Sequence, residues 1–596
     1  MHVQPQTHLF LSPEEWSRLP DKLSDLFFAQ LLAANSLAIE GYEKLQGAVF
    51  TDLPEDMAVP DSPRRSGASC RPLKGRLLRA AIALYAGRDE GVWDFALRSI
   101  DYLLDPAFWK PTARGCRIRH YDLKMGDLLF CAAFVLDTFA DRLDSERLER
   151  LRALTITHGL AAYLAGWEAE EWWKAADFNW ASATHGNAGL AALALAETHP
   201  QLSEDILRKV REGLAPLIAA FPLDGWWTEG AMYHTTAIGH LSDFVIALYR
   251  TRGDDLGLSA HPRWLEALAQ RRQTLAPDGR LLNFSNCAER TTQVFCPQIY
   301  WWAEHLGKPE WVTFEDSILK PWSRVFGVFY DIEAFLYRPA HPEKPPLAPL
   351  PPLQHFRGLD WLTWRGGQTW LAFRGGFNGG NHNNLDLGHF ILGRGRRRYL
   401  ADPGYGLVRT SEHNAVTIHG QDQAKGARAP LLAHGRLEGG FYLACDLAQC
   451  YPHLLEKHLR ILLLLGDAHL LAIDSLGGRG EFRVGAGYHF VTGRPVSAEA
   501  GAFTLAGADG EGDLHVQSLT PIFGADLTAF NGDRGPLSRI TFQADADRHR
   551  ELSVILLSFD PVSAPQVHPE NTADRLRIVW AGHNLDVDIN TGAVHG

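Results

Sequence analysis

Residues 338–354 read Arg338-Pro-Ala-His-Pro-Glu-Lys-Pro-Pro-Leu-Ala-Pro-Leu-Pro-Pro-Leu-Gln354, and this stretch decides the fold because it separates two halves of different periodicity. Proline fixes φ and carries no amide hydrogen, so this run can neither continue a helix nor enter the middle of a sheet. A linker is therefore expected over residues 338–356, with one domain before it (1–337) and one after it (357–596).

Upstream, apolar residues recur at intervals of three and four from about residue 13 to 325. Leu128, Leu129, Ala132, Val135 and Leu136 form one such face. Ser203, followed by Glu204 and Asp205, reads as an N-cap with acids in the first turn, ahead of a stripe at Ile206, Val210, Leu214, Leu217 and Ile218. Further helices are expected over 14–46, 75–86, 91–104, 145–166, 186–197, 233–250 and 262–274. Short links between consecutive helices imply antiparallel hairpins. Periodicity alone leaves toroid, bundle and solenoid open.

Downstream of the linker the period falls to two. Trp361–Trp364 and Thr369–Arg374 flank Gly366-Gly367, and Leu459–Leu465 and His469–Ile473 flank Gly466-Asp467, so both pairs read as hairpins. Strands continue through Phe482–Phe490 to the end of the chain, giving a large antiparallel β-sandwich, with room for a small terminal sheet after about 490.

At 596 residues the chain exceeds one ordinary core, and 46% apolar with 21% charged residues is the composition of a globular protein. The net charge of −12 argues against general nucleic-acid binding, although Arg394, Arg396, Arg397 and Arg398 form a local basic cluster. That cluster reads either as a seat for an anionic ligand or as a charged edge that blocks aggregation. Cys70, Cys116, Cys131, Cys287, Cys296, Cys445 and Cys450 are odd in number and lack CxxC spacing, which points to buried reduced thiols. No leader or membrane-spanning run is visible, so the expected location is cytoplasmic, or periplasmic or secreted if a leader has been removed.

Three stretches concentrate polar chemistry. The densest runs from Phe377-Asn-Gly-Gly-Asn-His382-Asn-Asn384-Leu-Asp386-Leu-Gly-His389 through Asp402-Pro-Gly-Tyr405 to His413-Asn-Ala-Val. Such a set of histidines and acids fits metal binding or proton transfer, and equally a solvated Gly-rich loop. The other two are Glu171-Trp-Trp-Lys-Ala-Ala-Asp-Phe-Asn179-Trp180 with His185, expected just before an apolar helix, and Asp224-Gly-Trp226-Trp227-Thr-Glu229-Gly-Ala-Met-Tyr233-His234. Their tryptophans suit stacking on sugar rings or packing at helix ends.

Taken together, Asn179-Trp180, Asp224-Gly-x-x-x-Glu229-Gly-x-x-Tyr233-His234, Gly-Asn-His382-Asn-Asn-Leu-Asp-Leu-Gly, Asp402-Pro-Gly and His413-Asn-x-Val resemble the motifs of the heparinase II/III-like polysaccharide lyases, including related oligoalginate lyases. The resemblance covers roughly residues 75–490. It implies a multidomain α + β protein, an N-terminal (α/α) toroid followed by a C-terminal antiparallel β-sandwich.

The activity it implies is β-elimination on a uronic-acid polysaccharide, leaving 4,5-unsaturated uronate ends. That chemistry needs a neutralised carboxylate, a base for the C5 proton and an acid for the departing O4. By this resemblance Asn179 and His185 would hold the carboxylate, and Tyr233 and His382 would exchange the protons, either serving as base according to the stereoisomer cut. Tyr405, which closes the Asp-Pro-Gly turn, is a secondary catalytic candidate. Trp180, Trp226, Trp227, Glu229, His234 and Arg374 are the candidates for substrate contact, His234 reading also, like His240, as a structural helix residue. A divalent ion (zinc, manganese or calcium) is implied at Asn384, Asp402 and His413. The amide at 384 stands where the family carries an imidazole and favours a harder cation than zinc. No organic cofactor is implied.

The expected partner is an anionic polysaccharide or oligosaccharide, glycosaminoglycan (heparin or heparan sulfate, chondroitin, hyaluronan) ahead of alginate, with neither nucleic acid nor membrane. A homodimer is compatible. Two other classes compete: a glycoside hydrolase using Asp127, Asp224 or Glu229 as its acid and base, and a non-catalytic carbohydrate-binding protein on the same architecture.

Overall fold

The computed structural model describes residues 8–44, 71–89, 91–111, 118–289, 294–319, 330–499, 501–507, 512–533, 535–544, 548–569 and 574–596. A helical N-terminal region is followed by an antiparallel β region. The chain divides into two compact units. One comprises Met1–Phe221, His234–Ala269 and Thr292–Leu347, and the other Pro222–Tyr233, Gln270–Thr291 and Ala348–Gly596. One boundary between the units falls at 347/348, within the proline-rich stretch, and Pro222–Tyr233 and Gln270–Thr291 belong to the unit that holds the sheets.

In the helical unit, Leu123–Thr138 is capped by the Asp122 carboxylate, which accepts from Met125 N–H at 3.1 Å, and every side chain from Met125 onward is buried. It packs against Asn179–Ala194, which in turn packs on Pro200–Ala220. The helix expected at 186–197 therefore begins at Asn179, so the polar Asn179–His185 stretch lies inside its first two turns rather than ahead of it. The glycines that obscured this start permit close helix contact: a Cβ on Gly189 would stand 2.3 Å from the Phe244 ring. Ser203 is not the N-cap of its helix. His199 is, with Pro200 in the first turn, where a missing amide hydrogen costs nothing, and Ser203 is buried within the helix.

In the β unit every strand pairing among the described residues is antiparallel. Trp361–Trp364 pairs with Thr369–Arg374 (Trp361 opposite Arg374), and Leu455–Leu465 with His469–Gly478 (Leu465 opposite His469), both as the turn residues required. The Phe482–Phe490 strand starts only at Ala486. The central strands of an eight-stranded sheet, Leu455–Leu465, His469–Gly478 and Arg550–Ser558, are buried on both faces. Leu462 and Leu464 pack toward the five-stranded (353–400) and four-stranded (416–543) sheets, while Ile461, Leu463 and Leu465 pack on the terminal sheet carrying Leu576, Ile578 and Val587. Burial on both faces explains the unbroken apolar run Ile461–Leu465. The small terminal sheet spans Gln566–His595, later than residue 490, because the strands between 486 and 558 join the main sheets.

The outer face of the five-stranded sheet is covered by the two N-terminal segments of this unit. Trp226, Leu282 and Phe284 cluster with Phe356, Trp361, Trp370 and Ile391. Each such large side chain contributes ~1.5–3 kcal/mol on burial. This apolar seam delivers Tyr233 and residues 283–287 to the polar loops beside it.

The described cysteines, Cys131, Cys287, Cys296, Cys445 and Cys450, are buried and unbridged; Cys70 and Cys116 lie outside the described residues. Among the described residues no helix is long and apolar enough to cross a membrane.

Candidate active site and metal centre

In the β unit Tyr233 and His382 come together. Their rings stack with centroids 3.7 Å apart and planes 12° from parallel, and the Tyr233 hydroxyl lies 2.9 Å from that of Tyr405. Tyr233 occupies the first turn of the helix Ala231–Arg252, and Tyr405 is 44% exposed.

His382 adopts φ +58°, a conformation that non-glycine residues hold only when their surroundings impose it, at a cost of ~1–3 kcal/mol. The imposing contacts are visible on both flanks. Its carbonyl accepts from Asn286 N–H at 2.8 Å. Asn381 Nδ2 donates to Glu229 Oε1 (2.7 Å), and Asn383 Nδ2 donates to Thr228 O (2.7 Å) and Ser285 Oγ (3.3 Å). Glu229, 1% exposed, also accepts from Trp227 Nε1 at 2.9 Å, and its Oε1 is 4.0 Å from His382 Nε2. Glu229 is thus a brace between two loops. Burial pushes the His382 imidazole down to about 4, so at neutral pH it is an uncharged ring able to accept a proton.

A second cluster lies deeper. Asp386, Asp402 and His413 are fully buried and offer ligand atoms within 4.8 Å of one another, a candidate metal-binding triad. His413 Nδ1 donates to Arg409 O (2.9 Å), which leaves Nε2 bare in the neutral ring and 3.6 Å from Asp402 Oδ2. Asp386 gives one oxygen to the buried Arg374 guanidinium, and Asp402 Oδ1 accepts from Asn283 Nδ2 (3.0 Å) and Gly404 N–H (2.9 Å). The other oxygens, Asp386 Oδ2 and Asp402 Oδ2, find no hydrogen bond, nor does Asn384 Oδ1.

Buried acceptors without donors are costly unless a cation meets them, so these residues fit a divalent ion. Burial raises the Asp402 carboxyl to about 7, helped by the Asp386 charge and opposed by His413 and the Gly404 amide. His389 is adjacent but is not a ligand. Its Nδ1 accepts from Asn414 N–H (3.0 Å), so the neutral ring carries its hydrogen on Nε2, which lies 3.2 Å from Asp402 Oδ2 but makes no hydrogen bond to it. Burial drives that ring down to about 3 and keeps it neutral.

Asp386 stands with the expected Asp402 and His413 as a further charged candidate ligand. Asn384, whose Nδ2 is 3.4 Å from His413 Nε2, contributes at most an amide oxygen. Other placements also differ. Trp226 and Trp227 are each 2% exposed, packed in the seam or bonded to Glu229, and present no open face to a sugar. Arg374 is buried on Asp386, and His234 is buried beside Phe221, so neither is open to substrate.

In the helical unit His185 has no exposed surface. Its Nδ1 is 2.8 Å from the Tyr163 hydroxyl, and aromatic rings of Trp167 and Trp173 enclose it, so it is a packing residue rather than a carboxylate ligand. Asn179 sits in the first turn of its helix, and Trp180 packs on Trp172, which stacks on Phe178. Sequence reasoning missed Asp386 as a ligand and Asn283, Ser285 and Asn286 as supports. The first was legible as another acid in the densest stretch, whereas the 283–286 loop carries no motif.

No protein-family model matches the chain, and no curated protein sequence matches it. Among solved structures the fold is that of the heparinase III-type polysaccharide lyases. A heparinase III with methylated lysines superposes with TM-score 0.60 at 14% identity, over 86% of this chain and 82% of that one. A second heparinase III structure gives 0.60 at 14% identity over 91% and 85%, and heparan sulfate lyase HepC from Pedobacter heparinus gives 0.57 at 15% identity over 88% and 83%.

Proposed function

We propose that this protein is a polysaccharide lyase that cleaves a uronic-acid-containing polysaccharide by β-elimination, with glycosaminoglycan as the first substrate class and alginate as the alternative. The observation that carries the reading is the stacked Tyr233–His382 pair with the Tyr405 hydroxyl in hydrogen-bond contact with Tyr233. The heparinase III and heparan sulfate lyase names of the superposed structures support the substrate order.

In the reaction the neutral His382 ring takes the C5 proton, the C–H electron pair forms the C4–C5 double bond, and the C4–O4 bond breaks. Tyr233 gives its proton to the departing O4, and Tyr405 hydrogen-bonds the resulting phenolate. A uronate beside His382 adds negative charge, which raises the imidazole's proton affinity at the moment it is used. For an epimer presenting C5–H to the other side, Tyr233 as phenolate takes the C5 proton and returns it to the departing O4. Asn179 keeps the carboxylate-binding role as a separate proposal, tested by Asn179→Ala.

A divalent cation held by Asp386, Asp402 and His413 would supply positive charge that neutralises the buried carboxylates and fixes the loop bearing His382. The protein's own contribution there is the His413 tautomer, the Arg374 contact and the Asn283 and Gly404 donors described above.

The hydrolase reading fares worse. Glu229 commits both oxygens to Trp227 and Asn381, Asp224 Oδ2 accepts from Gly358 N–H at 2.8 Å, and Asp127 is buried within the helix Leu123–Thr138. The test is a panel of heparin, heparan sulfate, chondroitin, hyaluronan and alginate, followed by ultraviolet absorbance of the new double bond. Signal is expected on at least one polymer, lost by orders of magnitude in Tyr233→Phe and His382→Ala. Reducing ends appearing without ultraviolet signal would instead establish hydrolysis.

A further inference from the structure

Tyr405 meets the Tyr233 hydroxyl from a turn with glycine on either side of it, Gly404 at φ +97° and Gly406 at φ +87°. Both lie in the left-handed region, where glycine moves freely because no Cβ obstructs it. Around Gly406 the space is open, with nothing within 4 Å of where a Cβ would stand. Packing does not fix this end of the turn, so hydrogen bonds must.

Each glycine amide is pinned by one side-chain oxygen. Gly404 N–H donates to Asp402 Oδ1 at 2.9 Å, within the candidate metal cluster. Gly406 N–H donates to Asn286 Oδ1 at 2.6 Å, on the 270–291 segment of the same unit. Further along the chain, Val408 O accepts from Leu385 N–H at 3.0 Å. Asn286 is thus the nearer tether on the C-terminal side of Tyr405.

The backbone of Asn286 faces the other loop, because its N–H donates to the His382 carbonyl at 2.8 Å. One residue therefore joins the loop bearing the imidazole to the turn bearing the second phenol. The segment behind it is firmly seated. Ser285 has no exposed surface and holds φ +66°, a conformation that a non-glycine residue keeps only when its surroundings impose it. Those surroundings are Cys287 N–H, which donates to Ser285 O at 2.7 Å, Asn383 Nδ2, which donates to Ser285 Oγ at 3.3 Å, and Thr228 O, which accepts from that hydroxyl at 3.3 Å. Gly230, three residues before Tyr233, passes so close that a Cβ there would stand 2.5 Å from Phe284 O. Residues 284–287 are in this way braced against the segments that carry Tyr233 and His382.

We infer that Asn286 is a positioning residue of the lyase, whose amide oxygen holds the 404–406 turn so that the Tyr405 hydroxyl stays within reach of Tyr233. Removing that oxygen frees a glycine-flanked turn without altering Tyr233, His382 or any candidate metal ligand. The inference rests on the lyase reading for its rate assay, but the placement of Tyr405 can be read without turnover.

The test compares full-length Asn286→Ala, Asn286→Asp, Tyr405→Phe and Asn286→Ala/Tyr405→Phe by initial rates and by fluorine NMR of protein carrying fluorotyrosine. The Tyr405 signal is the one missing from Tyr405→Phe. Asn286→Ala keeps the N–H bonded to His382 and loses only the acceptor for Gly406. It should lower kcat by about fivefold or more with KM nearly unchanged, and should shift or broaden the Tyr405 signal. Asn286→Asp still offers Gly406 an oxygen, so it should recover most of kcat and restore the signal, its added charge raising KM alone for an anionic polymer. The double variant should be no slower than Tyr405→Phe, since the amide acts through the phenol, whereas a general structural loss would multiply. Asn286→Ser, too short to reach Gly406, takes the place of Asn286→Ala should that protein misfold. An unmoved Tyr405 signal in Asn286→Ala, a kcat within twofold of the parent, or fully multiplied losses in the double variant each overturn the inference. A signal displaced in Asn286→Ala and restored in Asn286→Asp, in a protein that cleaves no uronate polymer, would sink the lyase reading alone; turnover indifferent to Asn286→Ala would sink the positioning role alone.

Discussion

Replacing Tyr405 by phenylalanine removes one oxygen atom and one interaction, the 2.9 Å contact with the Tyr233 hydroxyl. Tyr405 is 44% exposed, so the substitution leaves folding almost untouched, within ~0.5 kcal/mol. Its effect on rate depends on the charge of Tyr233 in the transition state. If Tyr233 stayed neutral, the lost hydrogen bond would be worth ~1 kcal/mol, about a fivefold fall in kcat. If Tyr233 releases its proton to O4, Tyr405 donates to a developing phenolate, and the loss rises to ~1.5–3 kcal/mol, roughly 10- to 150-fold. The proton-donor role assigned to Tyr233 requires the larger figure, and requires it in kcat rather than KM, because the charge exists only in the transition state. The assay is initial-rate ultraviolet absorbance over a substrate series, with calorimetric melting as the folding control. The double variant Tyr233→Phe/Tyr405→Phe should be no slower than Tyr233→Phe, since Tyr405 acts through the missing hydroxyl. A Tyr405→Phe enzyme within twofold of the parent, or a double variant with fully multiplied losses, would refute the coupling.

Three further outcomes follow from the geometry. His382 acts as base in its neutral form, and its folded value near 4 lies below the ordinary histidine value of about 6.5. The acid limb of kcat/KM should therefore fall near pH 4, and the rate should be flat through pH 6.5; an acid limb at 6.5 or above contradicts the buried imidazole. The same shift means that between pH ~6.5 and ~4 the unfolded chain takes up a proton that folded His382 refuses, so its contribution to stability declines as pH drops through that window. Glu229→Ala strands the Trp227 and Asn381 donors, at ~1–3 kcal/mol for each one left buried and unmet; denaturant unfolding should register the loss, and kcat should fall as the His382 loop loosens, whereas an unchanged midpoint and rate would remove its bracing role. Asp386→Ala and His413→Ala should each lower divalent metal content by elemental analysis, and chelation should depress the parent's melting temperature; full metal retained in the double variant would place the ion elsewhere.

Both hairpins flanking Gly366-Gly367 and Gly466-Asp467 were legible because alternation and turn chemistry are local, and so was the change from helix to strand across the prolines. The concentration of chemistry in residues 377–413 was legible for the same reason, since the site's ligands lie on one loop and the strands beside it. Burial was not. Trp226 and Trp227 look like sugar platforms until the seam with Phe356 and Trp361 closes over one and Glu229 takes the other. His185 looks like a site residue until Tyr163 and the tryptophans enclose it. Ser203 misled because a side chain suited to capping was judged without Pro200, three residues earlier, in the position that opens the helix.

The sequence alone determined the two secondary-structure regimes, the place where one gives way to the other, and the residue types able to move protons or hold a cation. Only the tertiary structure decided that residues 222–233 and 270–291 belong with the sheets, that a phenol and an imidazole stack face to face, and that Asp386 gathers with Asp402 and His413. The physical reason is range. Periodicity and capping are set by neighbours three or four positions away, whereas the Tyr233–Tyr405 contact joins residues 172 positions apart and exists only because an apolar seam holds the intervening chain in place.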